Sequence, residues 1–268
     1  MKDKKLKEVD YLTDEEYETI FTNFYSFREK IISKLIDFGL LENNNIIDLA
    51  AGHGFLSFAI NKKEYNGKIL CIGLSNDFNS YRRVIESGDY IFKNIQYCIM
   101  DTSRMGFRDG TIDFITNFLG LEDINMIGGK NAVQLTLLET SRILRNGGIL
   151  QISILLKGSE PSSKVNWKLW KYIGLNSIFY KPKFYNNKLK KLGFNLQKSF
   201  LLKTHKKMTV NQAREEILFA CKEAPKIFNE YKVKSKSFKK VWDKFEHKIK
   251  KYGLGFYPEI LILIFQKL

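Results

Sequence analysis

The chain has 268 residues, 44% hydrophobic and 14% aromatic, a globular composition that excludes disorder throughout. Its three cysteines, Cys71, Cys98 and Cys221, make no C-x-x-C pair, which excludes a zinc ribbon and a disulfide framework. The net charge of +15 is lopsided: residues 1–150 carry 18 Lys and Arg against 21 Asp and Glu, whereas residues 151–268 carry 26 against 8.

The basic half suggests a polyanion or a small acidic substrate. Only Arg214 among its 26 cations is an arginine, however, and phosphate-gripping surfaces favour the planar arginine fork. A solvated lysine surface is therefore the plainer reading, and a nucleic-acid partner is not favoured. No apolar run is long enough to span a membrane, and the charged start MKDKKLKEVD has no apolar signal segment. The expectation is a cytoplasmic protein with no membrane partner; the oligomeric state is left open.

In chain order, Thr13 with Glu16 reads as a capping box opening a helix whose apolar positions run from Tyr17 to Phe38 and which ends near Gly39. Asn45–Leu49 is a short buried strand, followed by a glycine-bearing turn and a helix from Phe55 to Ile60. Strands follow at Lys68–Leu74, Ile95–Met100, Ile112–Thr116 and Ile149–Leu155. Helices lie between them at Asn79–Ser87 and Asn131–Leu144, the latter closed by Gly147 and Gly148 as a C-terminal cap. This alternation predicts a doubly wound α/β fold with right-handed crossovers. Beyond residue 156 the pattern is mostly helical (Trp167–Tyr172, Phe184–Leu192, then Val210–Tyr252 with breaks near Pro225 and Lys234), with a strand at Leu196–Lys203. The apolar run Pro258–Phe265 is a last strand that must return to the same sheet. The expected organisation is a single domain over 1–268. It comprises a cap helix at 13–39, a cofactor core at 45–156, a basic helical lid at 157–255 and a final strand at 256–268.

The turn Asp48-Leu49-Ala50-Ala51-Gly52-His53-Gly54 joins a strand to a helix N-terminus, where a bare backbone meets a ligand. A dinucleotide fingerprint needs glycine at positions 50, 52 and 55, and only Gly52 complies. An acid at the strand end with small residues at Ala50, Gly52 and Gly54 fits instead. With YCIMDTSRMGFRDGTIDFI and LLETSRILRNGGIL in the expected order, the sequence resembles class I S-adenosylmethionine-dependent methyltransferases. Within them it is most similar to the ubiquinone/menaquinone C-methyltransferase-like branch.

The resemblance implies a mostly parallel seven-stranded Rossmann-like sheet with S-adenosyl-L-methionine as cofactor. It places Asp48 at the cofactor's amino-acid end and Ala50, Gly52, His53 and Gly54 along its backbone cradle. Asp101 would accept from the adenine amino group beside Thr102, and Asn117 and Phe118 end the fourth strand at the ligand crevice. One position departs. Gly73 stands where the family ends its second strand with a ribose-binding acid, so Asp77 or Asn76 is the substitute to consider, while Gly73, Leu74 and Ser75 stay among the expected cofactor-binding positions. Asp113 reads as structural.

Methyl transfer from a sulfonium is an in-line displacement needing alignment, exclusion of water and, for some acceptors, a base. The candidate catalytic groups are His53, Glu122 and Asp123; no residue cluster has metal-ligand spacing. The lid's aromatics, among them Trp167, Trp170, Tyr172, Phe219 and Trp242, would line a pocket or glue helices to the core. The favoured function is methylation of a small-molecule acceptor. The alternatives are an RNA or protein methyltransferase using the basic half, and a non-catalytic binder, which Gly73 favours.

Overall fold

The structure, a computed structural model, describes residue 11 and residues 25–42, 45–86, 94–175, 180–204, 206–227, 232–257 and 259–268. The predicted capping box at Thr13 lies outside these residues. The cap helix is described as α1 (Tyr25–Ile36), which buries Phe27, Ile31, Ile32 and Leu35 at helical spacing.

The core elements follow the sequence: β1 (Asn45–Leu49), α2 (Phe55–Asn61), β2 (Lys68–Gly73), α3 (Ser75–Glu86), β3 (Ile95–Ile99), β4 (Ile112–Thr116), α4 (Gly120–Ile143) and β5 (Leu144–Leu155). Next come α5 (Pro161–Ile173), α6 (Pro182–Lys191), β6 (Phe194–Lys203), β7 (Lys207–Met208), α7 (Val210–Lys222), α8 (Ala224–Ile227), α9 (Phe238–Tyr252), β8 (Leu254–Gly255) and β9 (Glu259–Lys267).

Seven strands form one sheet in the order β3-β2-β1-β4-β5-β9-β6. The pairs from β3 to β5 are parallel, and β9 runs antiparallel to both β5 and β6. The parallel strands read as continuous apolar runs because both their faces are covered. Ile46 and Ile47 show the alternation. Ile46 joins a core shared with α1, α2, α5, α7 and α9, and Ile47 joins a second core with α4 and α6. Full burial of each such side chain contributes roughly 1.5–3 kcal/mol. The strand order reverses between β1 and β4, which opens the ligand crevice at their C-terminal ends.

Three expectations are corrected. Gly147 and Gly148 do not cap a helix: α4 ends at Ile143, Leu144 is already extended, and the glycines lie in the irregular start of β5. Helix α4 begins at Gly120 rather than Asn131, with non-helical backbone at Gly129. Glu122 and Asp123 therefore sit on its first turn, not on a loop. Helix α3 likewise begins at Ser75, four residues early, which brings Asp77 onto its first turn. The β7–β8 ladder was not foreseen; it pairs Met208 with Leu254.

Candidate active site

Strand β1 delivers Asp48 to the crevice and then breaks into a loop of left-handed residues, with Ala50 at φ 52°, Gly52 at 53° and Gly54 at 80°. Gly54 opens α2, and a Cβ there would press within 3.0 Å of the Tyr81 ring. The Ala51 N–H bonds to the Ile72 carbonyl at 2.8 Å and fixes the loop to β2. Asp48 is 1% exposed. The Ser57 hydroxyl donates to its Oδ2 at 2.8 Å, and Cys71 Sγ donates to Ser57 Oγ at 3.1 Å. Burial pushes the Asp48 carboxyl up to about 6, against the bonds from Ser57 and Thr116 and the charge of Arg28.

Strand β2 ends at Gly73, where any side chain would require Tyr97 to move. A Cβ there would collide with the Tyr97 hydroxyl, which donates to the Gly52 carbonyl at 3.2 Å. The carboxylate of Asp77 lies 3.5 Å from that same point, held by the Leu74 N–H at 3.3 Å. Tyr97 thus fills the space of a strand-end side chain while Asp77 supplies a carboxylate from the next helix.

From this loop a cavity of about 400 Å³ runs between the sheet and helices α5 and α7. Its loop end presents Asp48, Gly52, His53 and Asp77, with Arg28 from α1. It is lined further by Phe118, Glu122 and Asp123, and by Asn166, Trp170, Glu216 and Tyr257 from later in the chain. Glu122 Oε1 accepts from the Leu155 N–H at 3.1 Å, whereas its Oε2 has no partner among the described residues. Burial pushes Glu122 up to about 8, aided by the charge of Asp123. Asp123 lines the cavity with an exposed side chain, and desolvation followed by the charge of Asp77 pushes it up to about 7. Burial lowers His53, which stands edge-on to Phe55.

The structure thus brings Asp48, Ala50, Gly52, His53, Asp77, Phe118, Glu122 and Asp123 to one cavity wall. Gly54, Gly73, Leu74 and Ser75 flank it without lining it. Asn117 is a clamp: its Nδ2 donates to the Leu49 carbonyl at 2.7 Å, and its backbone exchanges bonds with Gln151. Thr102 turns inward to Thr136 at 2.9 Å, and Asp101 Oδ1 is taken by the Ser103 N–H and hydroxyl, both at 2.8 Å. Neither lines the cavity. Of the lid aromatics, Trp170 and Phe219 reach the wall, while Tyr172 packs against Phe245 under Lys236 and Lys244. Asp113 pairs with Arg145 at 2.6 Å and accepts the Asn45 N–H. The sequence reading missed Arg28, Asn166, Glu216 and Tyr257, the last strained at φ 35°.

Comparison with known proteins agrees with this geometry. Residues 4–181 match the ubiE/COQ5 methyltransferase family. The chain belongs to that family. It is 24% identical over 158 residues to the protein-lysine N-methyltransferase EFM4 of Saccharomyces cerevisiae, covering 54% of this chain and 69% of that one. Its fold is shared with magnesium protoporphyrin IX methyltransferase of Synechocystis PCC 6803, solved with bound SAH (TM-score 0.59, 11% identity, 97% and 90% of the two chains). It is shared too with a Galdieria sulphuraria protein described as a sarcosine dimethylglycine methyltransferase (TM-score 0.60, 16% identity, 96% and 90% covered).

As a ubiE/COQ5 family member the protein is an S-adenosylmethionine-dependent methyltransferase, and S-adenosyl-L-methionine is its cofactor. The residues fit that group. A buried carboxylate ends β1, the next loop bares its backbone at Gly52, where a Cβ would meet nothing within 4 Å, and the Asp77 carboxylate borders the Gly73 gap. Among the described residues no helix is long and apolar enough to cross a membrane.

Proposed function

We propose that this methyltransferase acts on a small-molecule acceptor bound in the cavity. The cavity's size and lining carry the reading. The cavity lies within the ~300–1,000 Å³ of small-molecule sites and is lined by residues of α5, α7 and the Phe256–Tyr257 turn. In this reading Asp48 holds the cofactor's ammonium, Gly52 lets the backbone approach it, and Asp77 accepts from its ribose hydroxyls. Phe118 borders both cofactor and acceptor.

When bound, S-adenosyl-L-methionine supplies a methyl group on a sulfonium sulfur, open to displacement in line. The chain's own residues do the rest. Trp170, Phe219 and Phe256 exclude water and press the acceptor into place, which accounts for much of such a rate enhancement. Asp123, raised to about 7, takes the proton that the acceptor sheds, while Glu122, raised to about 8, stays protonated beside it at neutral pH. His53, lowered by burial, is kept neutral beside Asp77 and adds a second proton acceptor near the loop.

Calorimetric titration with S-adenosylhomocysteine, with NAD as control, tests the cofactor half of this reading; micromolar binding is the expected result. Turnover of small acceptors against intact proteins tests the other half. A protein acceptor is the second reading, favoured by the yeast relative, a protein-lysine N-methyltransferase. It predicts that a lysine-bearing peptide outcompetes every small acceptor.

A further inference from the structure

Resting on the reading that Asp48 holds the cofactor's ammonium, we infer that Ser57 is a positioning residue for that carboxylate and that Cys71 orients Ser57 in turn. The first ground is geometry. The Ser57 hydroxyl donates to Asp48 Oδ2 at 2.8 Å, and the Cys71 thiol donates to Ser57 Oγ at 3.1 Å. The Ser57 backbone N–H donates to the same carboxylate. Ser57 is the third residue of α2, and an N–H at that position has no partner inside its own helix. The next residue, Phe58, makes the N–H bond back to the Gly54 carbonyl at 2.9 Å. One residue thus ties the end of β1 to the start of α2 through two donors, across the loop of left-handed residues.

The second ground is the surroundings. Ser57 and Cys71 are both fully buried. The other buried residues of α2 are apolar: Leu56, Phe58, Ala59 and Ile60. A hydroxyl in such a place costs stability unless it is bonded, and an alanine would carry no such cost. Serine inside a helix commonly points to water or bonds back to the carbonyl four residues earlier. Here it turns to β1 instead. Cys71 adds direction. A hydroxyl has one proton and two lone pairs, and the thiol takes a lone pair, so the proton is left for Asp48. Burial, followed by the charge of Asp48, raises the Cys71 thiol well above the usual thiol range, so it stays protonated and donating.

The third ground is what the pair does to the charge. Only an ionised Asp48 attracts an ammonium. Burial pushes its carboxyl up to about 6, and the bonds from Ser57 stand first among the opposing effects, ahead of Thr116 on β4 and the charge of Arg28 on α1. The other titratable groups around it are Cys71 on β2 and Tyr97 on β3, both of them raised in part by the Asp48 charge. His53 and Asp77 share the same end of the cavity. Cys71 and Tyr97 are neutral at physiological pH and put no positive charge beside Asp48. Ser57 therefore sets how far below neutrality the carboxyl stays, and so the pH range over which the ammonium is held.

The test is calorimetric titration with S-adenosylhomocysteine, and with methylthioadenosine, which lacks the amino-acid end, across pH 5–8, a range that spans the Asp48 carboxyl. In Ser57→Ala the fall in S-adenosylhomocysteine affinity should move up by about one pH unit, giving about a fivefold loss near pH 6 that closes by pH ~8. Cys71→Ala should move it the same way by less. Cys71→Ser, which restores a hydroxyl donor, should return the wild-type profile. Methylthioadenosine should bind all these proteins alike at every pH, which also shows that they are folded. Carbon NMR of the Asp48 carboxyl in the ligand-free protein should show the same upward shift in Ser57→Ala.

A loss of S-adenosylhomocysteine affinity by one factor at every pH would overturn the inference and leave Ser57 a packing residue. An equal loss for methylthioadenosine would do the same, as would an Asp48 carboxyl signal that titrates unchanged in Ser57→Ala. An unmoved profile in Cys71→Ala would overturn the second step, from thiol to hydroxyl. Wild-type affinity indifferent to pH over the same range, with the NMR shift intact, would overturn the placement of the ammonium on Asp48 and leave the hold of Ser57 on the carboxylate standing.

Discussion

The Asp77 carboxylate stands 3.5 Å from the point that a Cβ on Gly73 would occupy. In the proposed reading Asp77 on α3 stands in for the acid expected at the end of β2, and the Tyr97 hydroxyl occupies the space above Gly73. Asp77→Asn should weaken S-adenosylhomocysteine binding about tenfold, the worth of one charged acceptor. Gly73→Asp should not strengthen it, and should lower stability by about 1–3 kcal/mol because the new side chain meets Tyr97. Titration calorimetry and urea unfolding of the two variants separate these effects.

Asp48 links cofactor binding to pH. Its carboxyl is pushed up to about 6, and only the ionised form pairs with an ammonium. Affinity for S-adenosylhomocysteine should therefore hold above pH 6 and fall as pH drops through it, by up to about tenfold per unit. Asp48→Asn should remove the dependence and cost about ten- to a hundredfold in affinity. Binding isotherms across pH 5–8, a range spanning this pKa, check both.

Glu122 links stability to pH with the opposite sense from an ion-paired acid. Its folded pKa, about 8, lies above the ordinary value of 4.5, so the folded protein binds the extra proton. Its contribution is complete below pH ~4.5 and is lost as pH rises toward 8. Glu122→Gln should flatten this part of the profile, which is worth on the order of a few kcal/mol. Chemical unfolding of the ligand-free protein at stepped pH measures it.

Asn117 should matter through structure rather than contact with substrate. Replacing it by Ala strips the Leu49 carbonyl of a buried 2.7 Å bond at the mouth of the β1 loop. The expected loss is about 1–3 kcal/mol, with weaker cofactor binding as a consequence. Urea midpoints and calorimetry on one sample test the pairing of the two effects.

The strands were legible because buried parallel strands are written as apolar runs, as in Ile46-Ile47 and Ile69 to Ile72, and the β1 loop because its small residues recur at fixed spacing. Glu122 and Asp123 were found from their place after β4, although the first turns of their helix were not. The Gly128-Gly129 pair hid the first turns of α4, and Gly147-Gly148 mimicked a helix cap while belonging to an irregular strand start. Glu216 and Asn166 gave no signal. A single acid on α7, or an amide on α5, faces the cavity only because Ile217 and Val165 fix how those helices roll onto the core. Tyr257 depends on the register of β9, and β7 and β8 are too short to show a two-residue period.

Strand β6 borders β9 alone, and β9 inserts between it and β5. The cavity groups taken from residues 156–257, among them Asn166, Trp170, Glu216 and Tyr257, are strung between β5 and that insertion. Closing so long a segment is slow, because its entropy is lost before its contacts form. The β1–β5 half closes shorter loops and gathers first. During refolding the cradle for the methyl donor therefore takes shape early, and the means of choosing among acceptors arrives with the last strand.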